Sequence, residues 1–538
     1  MAEIVTPNLR SQSRRSARDL PHMASLVLAE KALDKLRNTL ASPFALFLLP
    51  LMIMAWRLLS PSEADPDLFA RVAVGRLVQA HGAIPLIDPF AFTPTLPLWI
   101  DHEWLSGVVF WFVISHYGEV GLIALKLTLA LWATIFVIRA ARSYASSSAP
   151  NPAGLSVWIS LCMLHASFAW SSTLRCQGFT YLFLAFTYFA LIQYQRLASI
   201  RYIVLLPILS IAWVNMHGGY ALGMIVIWIF VIFAILARKQ YRLITVIALL
   251  CSLAPFATPY GFSTFASYLG SALLMERPSI EEWFPLFHDR SSFIASILLC
   301  LPIISGIALT RTARDRLAIA FIIFALYCGF RHIRLGAFMM ITVAIFGAEY
   351  ISVTINWLRG VLPTRAIRFE RALALAVMGL AIFFLLDFFR LLTRPATFSI
   401  NYSSYPVHAM QWLRINGASG KLLVDFNNGS FALWRLYPRF KISLDGRYEE
   451  VYPQQTVERV STAFRFSTAE GKAALKALDP SHILVSRALV SNQELQALTP
   501  EWRESYQDTR FAIWQRKDPP ITQDLPAPSK LDMWQPLF

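Results

Sequence analysis

Apolar residues run in long blocks through the first two thirds of the chain, and short polar connections separate them. Runs of membrane-crossing length cover 43–60, 121–138, 154–172, 178–195, 201–215, 219–237, 242–258, 291–310, 316–330, 335–356 and 370–391, which predicts about eleven transmembrane helices. A shorter stretch, 102–117, opens with Asp101, His102 and Glu103 and reads as a helix lying along the outer interface. Lys126, just inside the second run, reads as a lysine that snorkels outward. Beyond Arg394 the pattern changes to short alternating segments with mixed charge. Strands are expected at Lys421–Phe426, ending in an Asn427-Asn-Gly turn, at Phe440–Arg447, at Ile483–Ser486 and at Phe511–Gln515. Helices are expected at His408–Asn416 and Ala469–Leu478. The expected fold class is an all-α polytopic membrane bundle (43–392, with an outer loop at 61–120) followed by a small extracytoplasmic α/β domain (393–518) and a Pro-rich tail (519–538). Residues 1–42 form a basic segment in which Leu26, Leu33, Leu36 and Leu40 recur at near-helical spacing, as on a membrane face, or as part of a disordered tail.

Composition agrees: 56% of the residues are hydrophobic and 15% are charged, against about 25% charged in soluble domains. The net charge of +15 could suggest nucleic acid, but its placement explains it otherwise. Six connections are strongly basic: the N-terminus, 139–142, 196–201, 238–242, 311–316 and 359–371. They hold 21 Lys/Arg and six acids, the whole of the net charge, and the other 27 basic and 27 acidic residues cancel. Positive charge collects in cytoplasmic loops. All six fall inside when 102–117 does not cross, which places the N-terminus in the cytoplasm and the C-terminal domain outside; the competing topology has twelve spans and the C-terminal domain inside. The charge therefore orients the bundle, and no nucleic-acid partner is implied. Five cysteines, all in or beside apolar runs, form no disulfide or zinc pattern.

The unusual polar residues fall on the expected outer side. The first outer loop carries Asp65, Asp67, Asp88, Asp101, His102 and Glu103; later outer connections carry Arg175 and Gln177, then Asn215 and His217, then Glu282, then Arg331 and Arg334. Ionisable groups at membrane depth are costly and tend to mark function. Carboxylates can serve as bases or cation ligands there, and arginine forks match phosphate oxygens. The bland readings are solvated loop charges, headgroup anchors for the arginines, and helix caps for Asn215 and His217. The sequence has no GxxxxGK, GxGxxG, HExxH or GxSxG.

Several of these residues together resemble a family. Asp65-Pro-Asp67 after the first span, the Gly-x-Ile-Pro85-x-x-Asp88-Pro stretch and His102-Glu-Trp-Leu resemble the start of the GT-C membrane glycosyltransferases, which include protein O-mannosyltransferases and aminoarabinose transferases. Trp213-Val-Asn215-Met-His217-Gly-Gly219 and Asp445-Gly-Arg447-Tyr-Glu449-Glu-Val-Tyr452 resemble an uncharacterised bacterial branch of that superfamily. The resemblance implies a multi-pass enzyme of the bacterial inner membrane that moves a sugar from a polyprenyl-phosphate donor to an extracytoplasmic glycan, lipid or protein. It implies Asp67 as base, with Asp65 or Asp88 as second carboxylate. Arg175, Arg331 and Arg334 would hold the donor phosphate, and Asp101, His102, Glu103, Gln177, Asn215, His217 and Glu282 would contact substrate. No cofactor is required by the sequence; a divalent cation bridging Asp65, Asp67 or Asp88 is compatible with it. The chain departs from the family at Leu68, where many relatives carry a second acid, and at Glu103-Trp104, where they carry prolines. A non-catalytic scaffold or a carrier of lipid-linked saccharides is the alternative these departures leave open.

Overall fold

The structure is a computed structural model. It describes residues 43–59, 62–145, 152–170, 174–264, 266–267, 281–310, 315–362 and 404–518, with scattered positions between 379 and 399. The basic segment 1–42, the connections 311–314 and 363–378, and the tail 519–538 lie outside the described residues.

The apolar runs, with part of the 61–101 stretch, fold as helices α1 (Pro43–Leu59), α2 (Pro66–His81, from the 61–101 stretch), α3 (Trp104–Tyr144), α4 (Pro152–Trp170), α5 (Gln177–Leu197), α6 (Leu206–Met216), α7 (Tyr220–Leu236), α8 (Tyr241–Ser252), α9 (Arg290–Leu309), α10 (Arg316–Arg331) and α11 (Gly336–Val361). Among the described residues, three stretches are long and apolar enough to cross a membrane: Trp104–Tyr144, Arg290–Leu309 and Ile333–Val361. Eleven full spans are therefore not seen. Some expected runs are interrupted. The 201–215 run divides into a single turn, Ile200–Ile203, and α6, with Pro207 in the first turn of α6; α8 stops at Ser252, ahead of the 3₁₀ turn Ala254–Ala257. Most of the 370–391 run lies outside the described residues, although Asp387 accepts from Trp56 Nε1 at 2.7 Å.

Helix α3 contains both the expected interfacial helix and the second span. They meet at Gly118, whose φ of 61° and ψ of −157° interrupt the helix in a region that only glycine adopts readily. Lys126 is buried and does not snorkel, because α3 is packed on several sides at that depth. The described ends of four of the basic connections, near 144, 196, 240 and 315, meet at one end of the bundle. Tyr144 Oη donates to Asp315 at 2.9 Å, the Arg196 guanidinium lies 5.0 Å from the Tyr144 ring, and Tyr194 Oη donates to the Gln240 carbonyl at 2.6 Å.

At the other end lies one continuous apolar core that joins α2 and the first half of α3 to the C-terminal sheet, with Phe69, Trp99 and Phe110 clustering with Phe431, Leu433 and Ile483. A short pair, β1 (Ser62–Glu63) with β2 (Phe398–Ser399), runs parallel. The sheet itself is β3 (Gly420–Leu423), β4 (Phe440–Ile442), β5 (His482–Ser486), β6 (Trp502–Gln507) and β7 (Phe511–Arg516), in the order β4-β3-β5-β7-β6. The first three are mutually parallel, and β7 is antiparallel to both β5 and β6. Helices α12 (Val407–Ile415), α13 (Phe426–Leu436), α14 (Gln454–Ala463) and α15 (Ala469–Leu478) flank it.

Asn427-Asn-Gly is not a turn: it is the first turn of α13, because the Asp425 carboxylate caps the helix by accepting from the Asn427 and Asn428 amides. The loop after α2 is stitched to the sheet edge, with Phe92 N donating to Ile442 O and Ile442 N to Phe90 O, each at 3.0 Å.

A candidate active site between the bundle and the C-terminal sheet

A cavity of about 570 Å³ opens where α2, the starts of α3 and α5, the α6–α7 turn and the 446–450 segment converge. Much of the 61–101 stretch, which the sequence presents as loop, is helix α2. Its start is set by Asp65, an N-cap that accepts from the Asp67 amide at 2.9 Å, followed by Pro66 in the first turn. The other oxygen of Asp65 accepts from Arg175 Nε at 2.8 Å, and a second arm of Arg175 donates to Glu282.

The cap turns Asp67 into the cavity. Its carboxylate accepts no hydrogen bond among the described residues and faces Gly446, where a Cβ would stand 3.2 Å from Oδ1. Burial, and then the like charge of Asp65, push the Asp67 carboxyl up to about 7, with Arg175 pulling the other way.

One turn along α2, Arg71 is the hub of the wall. Its guanidinium meets Asp101 at 2.7 Å, Glu103 at 2.7 Å and Glu450 at 3.0 Å. Burial pushes the Glu103 carboxyl up, but the Arg71 guanidinium outweighs it and Glu103 is held down at about 2. Burial also lowers His217, to about 3, against the opposing charge of Glu103, so its ring is neutral. Its Nδ1 accepts from the Gly219 amide at 2.8 Å, which leaves the proton on Nε2, 3.5 Å from Glu103. The WxNxHGG pattern has a physical reading: Trp213 Nε1 donates to Thr180, Thr180 contacts His217 Nδ1 at 2.8 Å, and a Cβ at Gly219 would strike both partners.

Asp65, Asp67, His102, Glu103, Arg175, Gln177, His217, Glu282 and Arg334 all line the cavity. The Arg334 guanidinium lies 5.5 Å from the centre of the Trp283 ring and makes no ion pair among the described residues. Four expected site residues lie elsewhere. Asp88 is bound at 2.5 Å to Arg447, both side chains fully buried, and it caps the Phe90 and Ala91 amides, so it is not a second cavity carboxylate beside Asp67. Asp101 is fully buried behind Arg71, with Oδ2 lacking a hydrogen bond. Asn215 accepts from Trp104 Nε1 at 2.8 Å and ties α6 to the start of α3. Arg331 is exposed at the end of α10, outside the lining.

Arg71, Thr180, Phe426, Tyr448 and Glu450 also line the cavity and were not among the sequence candidates. Arg71 left a signal: it follows Asp67 by four residues in an otherwise apolar stretch, the spacing of one helical face. Among the described residues, no three His, Cys, Asp or Glu side chains are disposed to hold a metal ion. Asp88, one proposed bridge for a cation, is taken by Arg447.

No family model and no curated protein matches the chain. Among solved structures the chain is similar to the crystal structure of the Archaeoglobus fulgidus oligosaccharyltransferase in complex with zinc and sulfate. The two share 14% identity, with a TM-score of 0.47, over 88% of this chain and 74% of that one.

Proposed function

We propose that the chain is a membrane glycosyltransferase that transfers a sugar from a polyprenyl-phosphate donor to an acceptor at the outer end of the bundle, with Asp67 as general base. The observation that carries the reading is a carboxylate free of donors among the described residues, facing a cavity, with its pKa pushed up to about 7. A base in that range is about half ionised at neutral pH and holds a proton far better than an ordinary carboxylate. Arg334, on the same cavity and without an ion pair among the described residues, is the group best suited to meet the departing phosphate. Arg175 is already committed to Asp65 and Glu282, so its role is to hold the base region in shape. The acceptor hydroxyl gives its proton to Asp67 as its oxygen attacks the sugar carbon, and the bond to phosphate breaks with its electrons passing to the phosphate oxygen. A sugar phosphate is already a good leaving group, so one base and one cation suffice.

The test is sugar transfer in membranes supplied with labelled polyprenyl-phosphate sugar. Asp67→Asn is expected to insert normally and lose roughly 10²- to 10⁴-fold in rate. Transfer at the wild-type rate overturns the assignment. Donor bound by the wild type with no turnover under any condition favours a binding protein instead.

A further inference from the structure

The bundle side of the cavity carries its charged groups, Asp67 and Arg334 among them, together with an apolar patch of Leu174, Leu222 and Phe338. The wall from the C-terminal part offers Phe426, Tyr448 and Glu450, with Gly446 pressed against Asp67. We propose that Tyr448, Phe426 and Glu450 form a saccharide-binding platform, so that the acceptor is a glycan whose terminal sugar lies on the Tyr448 ring beside Asp67. Calling that ligand the acceptor rests on the transferase reading above; the binding itself does not.

Three features support a built platform. First, the segment is rigidly held. Arg447 donates to Asp445 through Nε at 2.8 Å and Nη2 at 2.6 Å, and it lies between the Phe90 and Trp99 rings at 4.9 and 4.8 Å from their centres. Tyr452 Oη closes the cluster with a 2.8 Å bond to Asp445. Second, Tyr448 has φ of 35°, a strained value for a non-glycine residue that persists only where the surroundings impose it, commonly at binding sites. Third, the Tyr448 hydroxyl is tied to Gln454 at 3.2 Å and its ring stands perpendicular to that of Phe426, with centroids 5.8 Å apart, so two aromatic rings from different elements line the cavity together. A pyranose has an apolar C–H face that packs on such a ring and hydroxyls that donate to carboxylates. Glu450, held by Arg71 two residues further on, keeps lone pairs for them. An alkyl chain would instead fit the patch of Leu174, Leu222 and Phe338.

Binding can be read without turnover. The full-length protein in nanodiscs is examined by saturation-transfer NMR against free trisaccharides of glucose, of mannose and of N-acetylglucosamine, with a serine- and threonine-containing hexapeptide alongside. At least one trisaccharide is expected to bind the wild type. Tyr448→Ala is expected to weaken that binding by about fivefold or more and Tyr448→Phe to retain it, the loss being that of a stacking ring. Phe426→Ala, on a different element, is expected to weaken it as well and keeps the test available if Tyr448→Ala does not fold. No binding by any trisaccharide, undiminished binding by both alanine variants, or binding of the hexapeptide alone overturns the platform. Saccharide binding that depends on Tyr448, in a protein that never transfers sugar, leaves the platform standing and removes the transferase reading.

Discussion

Asp67 and Arg334 differ from their charged neighbours in having no ionic partner among the described residues, and the chemistry proposed for them is tested at single positions. A base with its pKa near 7 is active only when ionised. kcat/KM for transfer should therefore rise about tenfold per pH unit below about 7 and level off above it, as a pH–rate profile in detergent would show. A profile flat from pH 5 to pH 8 would exclude the raised carboxyl as the base. Arg334→Ala should weaken donor use by roughly ten- to a hundredfold, the worth of a charge-assisted hydrogen bond, whereas the exposed Arg331→Ala should leave it within about twofold. The sequence marks both arginines equally, since each ends a polar connection beside an apolar run. Only the packing of Trp283 under Arg334 separates them. Arg71 was missed for the converse reason: its importance lies in three carboxylates that the chain supplies from positions as distant as Glu450.

The elements that place these residues depend on two glycines. Helix α2 crosses the first half of α3 so closely that a Cβ on Gly75 would overlap the backbone of Gly107, and one on Gly107 would lie 2.6 Å from the Arg71 carbonyl. Gly107→Val must therefore push α2 away, carrying Asp67 and Arg71 with it. Overpacking of this kind costs about 1–3 kcal/mol, and here backbone meets backbone, so the upper end applies. A fall in apparent melting temperature together with loss of transfer is expected, while Gly360→Ala, which meets nothing, should change neither. The apolar runs were legible because a membrane helix is apolar on its exposed as well as its buried faces, as Arg290–Leu309 is with only 17% of it buried, and so was the break before the second span, where Gly118 separates two helical stretches. Helix α2 was less legible because its arginines and histidine resemble loop composition, although Asp65-Pro66 is a sound helix start. Asn427-Asn-Gly misleads because turn residues also suit a first helical turn once Asp425 caps it.

For the whole molecule, the decisive contact is Asp88 with Arg447, residues 359 positions apart, which joins the loop after α2 to the 446–450 segment that roofs the cavity. No periodicity in the sequence encodes that pairing; it arises because the Phe90 and Trp99 rings exclude water from around the guanidinium. Removing the arginine leaves Asp88 and Asp445 buried together without a countercharge. Arg447→Leu should accordingly lose about 3–5 kcal/mol, the usual cost of breaking a buried pair, while Asp88→Asn, which leaves Arg447 paired to Asp445, should lose less. Acid should have the same effect as the mutation. Burial pushes the Asp445 carboxyl up, yet Arg447 outweighs it and holds it below its ordinary value. Its contribution is thus complete above the unfolded pKa of about 3.9 and is lost as pH falls through the lower folded value. In wild type, protease cleavage of the C-terminal part should appear only at strongly acid pH, whereas in Arg447→Leu it should appear already at neutral pH. Identical cleavage in the two proteins would mean that the shared apolar core, and not this ion cluster, holds the roof over Asp67.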